Sequence, residues 1–349
     1  MIPYSRPTIS KKDLVHVLEA MLSDQVEYGE LTKRFEHQFA AAVGMPHALA
    51  VHSAGAAFFL VFKHLDLKPG DEVILPAYGE PLLLEILSLF GATPRFADLK
   101  EGSYGMDLSL VPPLVGENTR AVIVSHTFGF PLAIPEDFLK DSPIALIEDC
   151  THALGSTRSG VNPGLRGNFS VFSLDTESVI TTGEGGMVLC RKKTDHDRIN
   201  DRRAYRLKEE IAGRIDLALS DLQSAMGVSE LSLLPKFLDK RKKMAAFYRD
   251  ALSRGVNRIF EVEESVEPNW SRFPVQFSSP RATIKELFKK YRIGVADPWP
   301  KPLFEYAGLT DESFPNARRA FLKTLCVPLY PVLKVDEVEE IGKLLSNIR

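Results

Sequence analysis

The chain is poor in everything that would single out a specialised class. Its three cysteines, Cys150, Cys190 and Cys326, are odd in number and have no paired spacing. That argues against a disulfide framework and suits a reducing compartment. No apolar run approaches the roughly 18 residues needed to span a bilayer, and the N-terminal MIPYSRPTISKKDL lacks the apolar core of a signal peptide. A cytoplasmic location is therefore expected. Charge is nearly balanced, with 43 basic against 46 acidic side chains and a formal net charge of -3. Such a balance gives no pull toward nucleic acid or membrane, and leaves small molecules or further copies of the chain as expected partners. Internal repeats and low-complexity tracts are also missing.

What is present is a core of substantial size, 44% apolar over 349 residues, enough for a large and a small domain. DLVHVLEAMLSD and ELTKRFEHQFAAAVG carry apolar residues at helical spacing, the second closing on Gly44. The period then changes. HALAVH, EVILP, TPRFAD, AVIVSH and IALIED are short apolar runs of strand length, separated by the helix-like AAFFLVFKHL and PLLLEILSLFG. This alternation predicts an α/β domain with a mainly parallel, buried sheet. Ligands of such sheets bind at the carboxyl ends of the strands. That rule draws attention to His52 to Gly55, Ala77 to Glu80, His126, and Asp149 to His152. From about Asp216 a long helical pattern leads away, with Pro235 marking an expected kink or break. RFPVQFS, TIKELFKKYR and DEVEEIGKLLSNI then predict a smaller C-terminal α+β domain. The expected division is an arm over 1–15, a large domain over 16–235 and a small one over 236–349.

Each candidate side chain has a structural reading beside a chemical one. Asp149 ends an apolar strand, where its carboxylate can pair with a cationic ring nitrogen or simply cap a helix. His152 can stack on a ligand or accept a proton, although a lone histidine there more often serves hydrogen bonding. Cys150, His152 and His126 are too irregularly spaced for a metal site, and none is expected. Ser53-Ala54-Gly55 stands between a strand and an apolar helix, where free N–H groups favour a phosphate, and where ordinary capping by Ser53 is equally compatible. TTGEGGMVL has the wrong glycine spacing for a dinucleotide fingerprint, and no G-x-S-x-G elbow surrounds Ser178.

In chain order, YGELTKRFEHQFAAAVG, KPGDEVILPAY, FGATPRFADL, VSHTFGFPLAIP, LIEDCTHALGS, TTGEGGMVL, LSDLQSAMGVSELSLL and VPLYPVL resemble the DegT-type sugar aminotransferases. These are pyridoxal-phosphate (PLP) enzymes of the aspartate-aminotransferase fold, also called PLP fold type I. The resemblance covers nearly the whole chain. It implies a homodimer, a sugar or sugar-nucleotide ligand, and a role in nucleotide-sugar or cell-envelope polysaccharide metabolism. It also implies that Asp149 is the acid on the cofactor's ring nitrogen, that His152 lies near the ring, and that Ser173 binds phosphate.

Other positions depart from the family pattern. Gly55 replaces the threonine of the helix entrance, and Glu80 puts a carboxylate where an aromatic ring should stack. Asp216 replaces the asparagine that reaches the site from the partner subunit, and Ala218 an arginine. Within FSLDTESVITTGEGG the Schiff-base lysine becomes Ser178, and the ring three residues earlier becomes Asp175. A serine hydroxyl can neither form an imine nor shuttle the proton of transamination. Lys192 and Lys193, the nearest lysines in sequence, follow the next strand and are expected to point away. The resulting expectation is PLP or its aminated form (PMP) held weakly and without a covalent bond, if at all. Ordinary transamination is lost, and His152 or Asp175 is left to serve as base in a dehydratase-like variant.

Overall fold

The computed structural model describes residues 1–203 and 213–348. Its strands are β1 (His47–Val51), β2 (Glu72–Pro76), β3 (Thr93–Ala97), β4 (Thr119–Ser125), β5 (Ala145–Asp149), β6 (Thr157–Arg158), β7 (Phe169–Ser173), β8 (Gly186–Cys190), β9 (Val266–Glu267), β10 (Phe273–Gln276) and β11 (Thr324–Val327). The helices are α1 (Lys11–Leu22), α2 (Glu30–Val43), α3 (Ala54–His64), α4 (Leu82–Leu89), α5 (Lys193–Arg203), α6 (Asp221–Ser253), α7 (Arg281–Lys290), α8 (Leu303–Tyr306), α9 (Pro315–Lys323) and α10 (Val335–Asn347).

Seven strands form one sheet in the order β1-β8-β7-β5-β4-β2-β3. The pairs among β7, β5, β4, β2 and β3 are parallel, and β8 runs antiparallel to both β1 and β7. Both faces are covered. α3 packs one face through Phe58, Val61 and Phe62, while α2 and the start of α6 close the other through Phe35, Phe39 and Val228. The near-continuous apolar strand runs are the expected signature of a sheet buried on both sides. At the end of α2, Gly44 takes φ +94 and stops the helix, as its position in the sequence predicted.

The C-terminal part builds a third core around the antiparallel pair β10 and β11, with α7, α10 and the second half of α6 packed on it. The N-terminal arm docks there. Ile2 N donates to Arg292 O, and Gly294 N to Ile2 O, each at 2.8 Å. The arm gives way to helix already at Lys11, inside the expected 1–15 segment.

One expectation needs correction. Of the kink or break expected at Pro235, the break does not occur: α6 runs for 33 residues and includes it. The expected boundary at 235/236 thus falls inside a helix shared by both parts. Proline there withholds one backbone N–H, a loss the packing of α6 against α1, α2 and α10 offsets.

Candidate active site at the carboxyl edge of the sheet

The register decides which residues can meet. Ser125 pairs with Asp149 across β4 and β5, β7 runs on to Ser173, and Ser173 pairs with Gly186 at the start of β8. Gly186 in turn pairs with Val51, two residues before Ser53. On the far side β2 ends at Pro76 and leads to Tyr78 and Glu80. Ser53, Asp149, Ser173 and Glu80 therefore lie along one edge of the sheet. Because β8 is antiparallel, it starts at this edge and delivers Lys192 and Lys193 to the opposite one, where Lys193 pairs with Asp197 at 2.7 Å.

Asp149 is buried and held by three donors. Ser125 Oγ donates to Oδ2 at 2.8 Å, while Thr151 N and Oγ1 donate to Oδ1 at 3.1 and 2.6 Å. His152 follows within the same turn. Its Nδ1 accepts from Phe128 N at 3.4 Å, which puts the ring proton on Nε2. Burial, assisted by the nearby Arg272 charge, pushes the imidazole well below its ordinary range, so it is neutral at pH 7.

Phe128 owes its place to a strained turn, since it adopts φ +58 ahead of Gly129 at φ +83. A side chain at Gly129 would collide with the Asn269 carboxamide, whose nitrogen donates to His152 O and Leu154 O at 2.7 and 2.9 Å. The turn holds the Phe128 ring stacked on Trp299, with centroids 5.1 Å apart, and 6.0 Å from His152.

Trp299 and Arg272 were missed by sequence reasoning. The segment carrying Trp299 is hooked to the end of β2, with Leu303 N donating to Ala77 O at 2.9 Å. The indole meets Tyr78 edge-on at 4.7 Å and donates to Glu80 Oε2 at 3.0 Å. The Glu80 carboxylate thus comes with a ring of its own, supplied 219 residues downstream. Burial raises the Glu80 pKa, the Trp299 bond and the Arg272 charge oppose this, and the Asp149 charge adds to it. Arg272 pairs with Glu177 at 3.0 Å and donates to Pro298 O at 3.3 Å, tying the turn before Ser178 to the smaller part. No periodicity or motif marks either residue; only the meeting of distant segments reveals them.

Ser178 and Asp175 come together, with each other as partners. Asp175 Oδ1 accepts from Glu177 N, Ser178 N and Ser178 Oγ at 2.8, 2.9 and 3.0 Å, and its Oδ2 accepts from Ser173 Oγ at 2.9 Å. Asp175 is thereby spent on capping a turn. Ser53 caps α3, accepting from Ala56 N at 3.0 Å, and a Cβ on Gly186 would lie 2.4 Å from Ser53 O. Ala54 and Gly55 form the first turn of α3, whose N-terminus faces this edge. Asp216 is exposed beside the end of its own β1, where His52 N donates to Leu217 O at 3.0 Å and Ala218 bridges Val51.

The ligand atoms of His126, Glu148 and Cys150 lie within 4.8 Å of one another. The cluster works as a structural knot. Glu148 accepts from the amides of Gly164, Arg166 and Gly167 and meets His126 Nε2 at 2.8 Å, while His126 Nδ1 accepts from Leu132 N. Burial by itself would raise the Glu148 carboxyl, but His126 and these amides outweigh it and hold the pKa below the ordinary value.

A doubly covered, mainly parallel sheet with an acid at the end of β5 and a serine at the end of β7 agrees with a family comparison. The model of the DegT/DnrJ/EryC1/StrS aminotransferase family matches residues 7–346. The chain belongs to this family. The spore coat polysaccharide biosynthesis protein SpsC of Bacillus subtilis is 28% identical over 99% of this chain and 97% of its own length. A GDP-perosamine synthase of Vibrio cholerae is 29% identical over 99% of both. Spr1654 of Streptococcus pneumoniae, solved in PLP and PMP forms, superposes with TM-scores of 0.91 and 0.90 at 22% and 23% identity. It covers 99% of this chain, which covers 97% and 96% of it.

The PLP and PMP forms of Spr1654 prompt a test of fit. A ring nitrogen would find the carboxylate of Asp149, and a phosphate would find the N-terminus of α3, whereas the Ser173 hydroxyl would first have to give up its bond to Asp175. Covalent attachment does not fit, because position 178 offers a hydroxyl already donated to Asp175. The part-buried Glu80 carboxylate lies along the same edge, bonded to the Trp299 indole.

Proposed function

We propose that this DegT-family chain is a non-transaminating homologue in nucleotide-sugar or cell-envelope polysaccharide biosynthesis, acting as a ligand-binding or partner subunit. The reading rests on Ser178, whose hydroxyl caps a turn with Asp175 in the place of a lysine amine. The names of the polysaccharide and GDP-sugar relatives support the pathway class. PLP or PMP, if taken up, is held weakly and without a covalent bond, and the ligand is a sugar or sugar nucleotide. The protein acts in the cytoplasm as a homodimer, to which the exposed apolar side chains Leu14, Val15, Leu18 and Met21 of α1 lend support. No helix among the described residues is long and apolar enough to cross a membrane.

The test is an absorption spectrum of the purified protein with added PLP, before and after dialysis. The expected outcome is loss of the cofactor band on dialysis. A band that survives, with borohydride fixing the cofactor to a lysine peptide, overturns the reading. Ser178→Lys is expected to leave transamination undetectable, since it changes neither Glu80 nor Asp216; restored turnover would show that only the amine was missing.

A second reading, a PLP- or PMP-dependent sugar aminotransferase or dehydratase, is favoured by one observation. His152 is neutral and held in a defined tautomer at the same sheet edge as Asp149, which leaves its Nε2–H as a hydrogen-bond donor for a ligand. It requires turnover of a nucleotide-linked keto sugar that His152→Asn abolishes.

A further inference from the structure

Beside the turn that leads into β8, two acids meet in the buried interface between α1 and α6. Asp13 on α1 and Glu230 on α6 are each 1% exposed. Two donors fill one side of Asp13, Ser10 N at 2.6 Å and Ser10 Oγ at 2.7 Å, both on Oδ2. One donor reaches Glu230, Thr181 N at 3.1 Å on Oε2. The remaining oxygens, Asp13 Oδ1 and Glu230 Oε1, are buried and have no donor among the described residues. Two ionised carboxylates so placed would repel each other out of contact with water, whereas a single proton between those oxygens satisfies both at once.

We propose that Glu230 is a carboxylic acid that donates a hydrogen bond to the Asp13 carboxylate, and that this proton clasps the N-terminal helix α1 onto α6. The groups acting on the Glu230 carboxyl are the Asp13 carboxyl from α1 and the Thr181 amide from the turn before β8. Lys12, the other charged side chain of α1 that reaches α6, bonds the Ser232 hydroxyl at 2.8 Å. Burial first, with Asp13 adding to it, raises Glu230 to about 8 against the opposing Thr181 amide. Because the folded value is raised, the stabilisation is complete below the ordinary carboxylate range and is lost as pH rises through about 8. The clasp reaches two regions. α1 carries outward the apolar side chains Leu14, Val15, Leu18 and Met21. Thr181 begins the turn that returns the chain to Gly186 at the sheet edge, and that turn is also tied to α6 through Gln223 Nε2 and Glu184 O at 2.9 Å. The inference is independent of any cofactor.

Hydrogen exchange of a peptide covering α1, divided at each pH by the rate of the same peptide unfolded, tests it. Between pH 6.5 and 9, protection in the full-length protein is expected to fall about tenfold or more. Glu230→Gln keeps the shape, donates its own N–H to Asp13 and needs no proton, so its protection should stay flat across that range. Asp13→Asn provides an equivalent donor from the other side, and should flatten the profile if the first variant folds poorly. A native protein whose α1 protection does not change over this range overturns the proposal without recourse to any variant. A Glu230→Gln profile that falls in parallel with the native one overturns it too, since another group would then be titrating.

Discussion

Arg203→Ala is expected to lower the free energy of unfolding by about 3–5 kcal/mol. Arg203 is 1% exposed and ends α5 with every arm of its guanidinium committed. Nη1 donates to Glu36 at 2.5 Å and to Ala50 O at 2.6 Å, Nε to Asn200 at 2.9 Å, and Nη2 to the Tyr28 hydroxyl at 3.1 Å. Glu36 Oε1 also accepts from Ala50 N at 2.9 Å, so one ion pair joins α2, β1 and α5. Alanine would leave the Glu36 carboxylate buried without its cation. That unpaired charge, more than the lost attraction, sets the size of the effect. Arg203→Met combined with Glu36→Gln should recover most of the loss, because neither side chain then carries a charge to strand. Urea unfolding of the single and double variants reads both results. A loss below about 1 kcal/mol in the single variant would place the pair among surface ion pairs, contrary to its burial.

Glu80→Gln is expected to tighten binding of PLP, PMP or inorganic phosphate at the sheet edge by about 10- to 100-fold, an energy of about 1–3 kcal/mol. Glutamine keeps an oxygen for the Trp299 indole and removes the negative charge that shares the edge with Asp149. Arg272 offsets part of that charge, which limits the gain. The native protein should show a companion pH effect. Burial raises the Glu80 pKa, so as pH falls Glu80 takes up a proton earlier than an ordinary glutamate. Phosphate affinity should therefore strengthen on acidification in the native protein and change less in the variant. Isothermal titration at several pH values reads both, and equal affinities throughout would mean that the Glu80 charge is not felt by the ligand.

The scaffold was legible because its determinants are local. Strand-length apolar runs alternating with helical periods reflect a sheet covered on both faces, and a glycine at a helix end reflects the left-handed geometry it must adopt. The break allowed for at Pro235 does not occur for the complementary reason: the local preference is real, yet the packing of a 33-residue helix carries the helix through it. The site was legible in part. Ser53, Asp149 and Glu80 follow from strand ends in a parallel sheet, and Ser173 and Ser178 from position within a family pattern. Trp299, Arg272 and Phe128 were not, because nothing near them in sequence marks them. Their roles arise when a strained turn, the end of β2 and a segment of the C-terminal part converge.

By itself the sequence determined the class of fold, the strand ends that gather along one edge of the sheet, and the absence of an amine at position 178. These depend on residue type and on short-range spacing, which a linear string records. Only the tertiary structure decided that Ser178 and Asp175 satisfy each other, that Glu80 brings an indole with it, and that Asp13 meets Glu230. Hydrogen bonding and desolvation act through a few ångströms of space whatever the distance along the chain, so the state of a buried acid is set by neighbours that the sequence holds hundreds of residues apart.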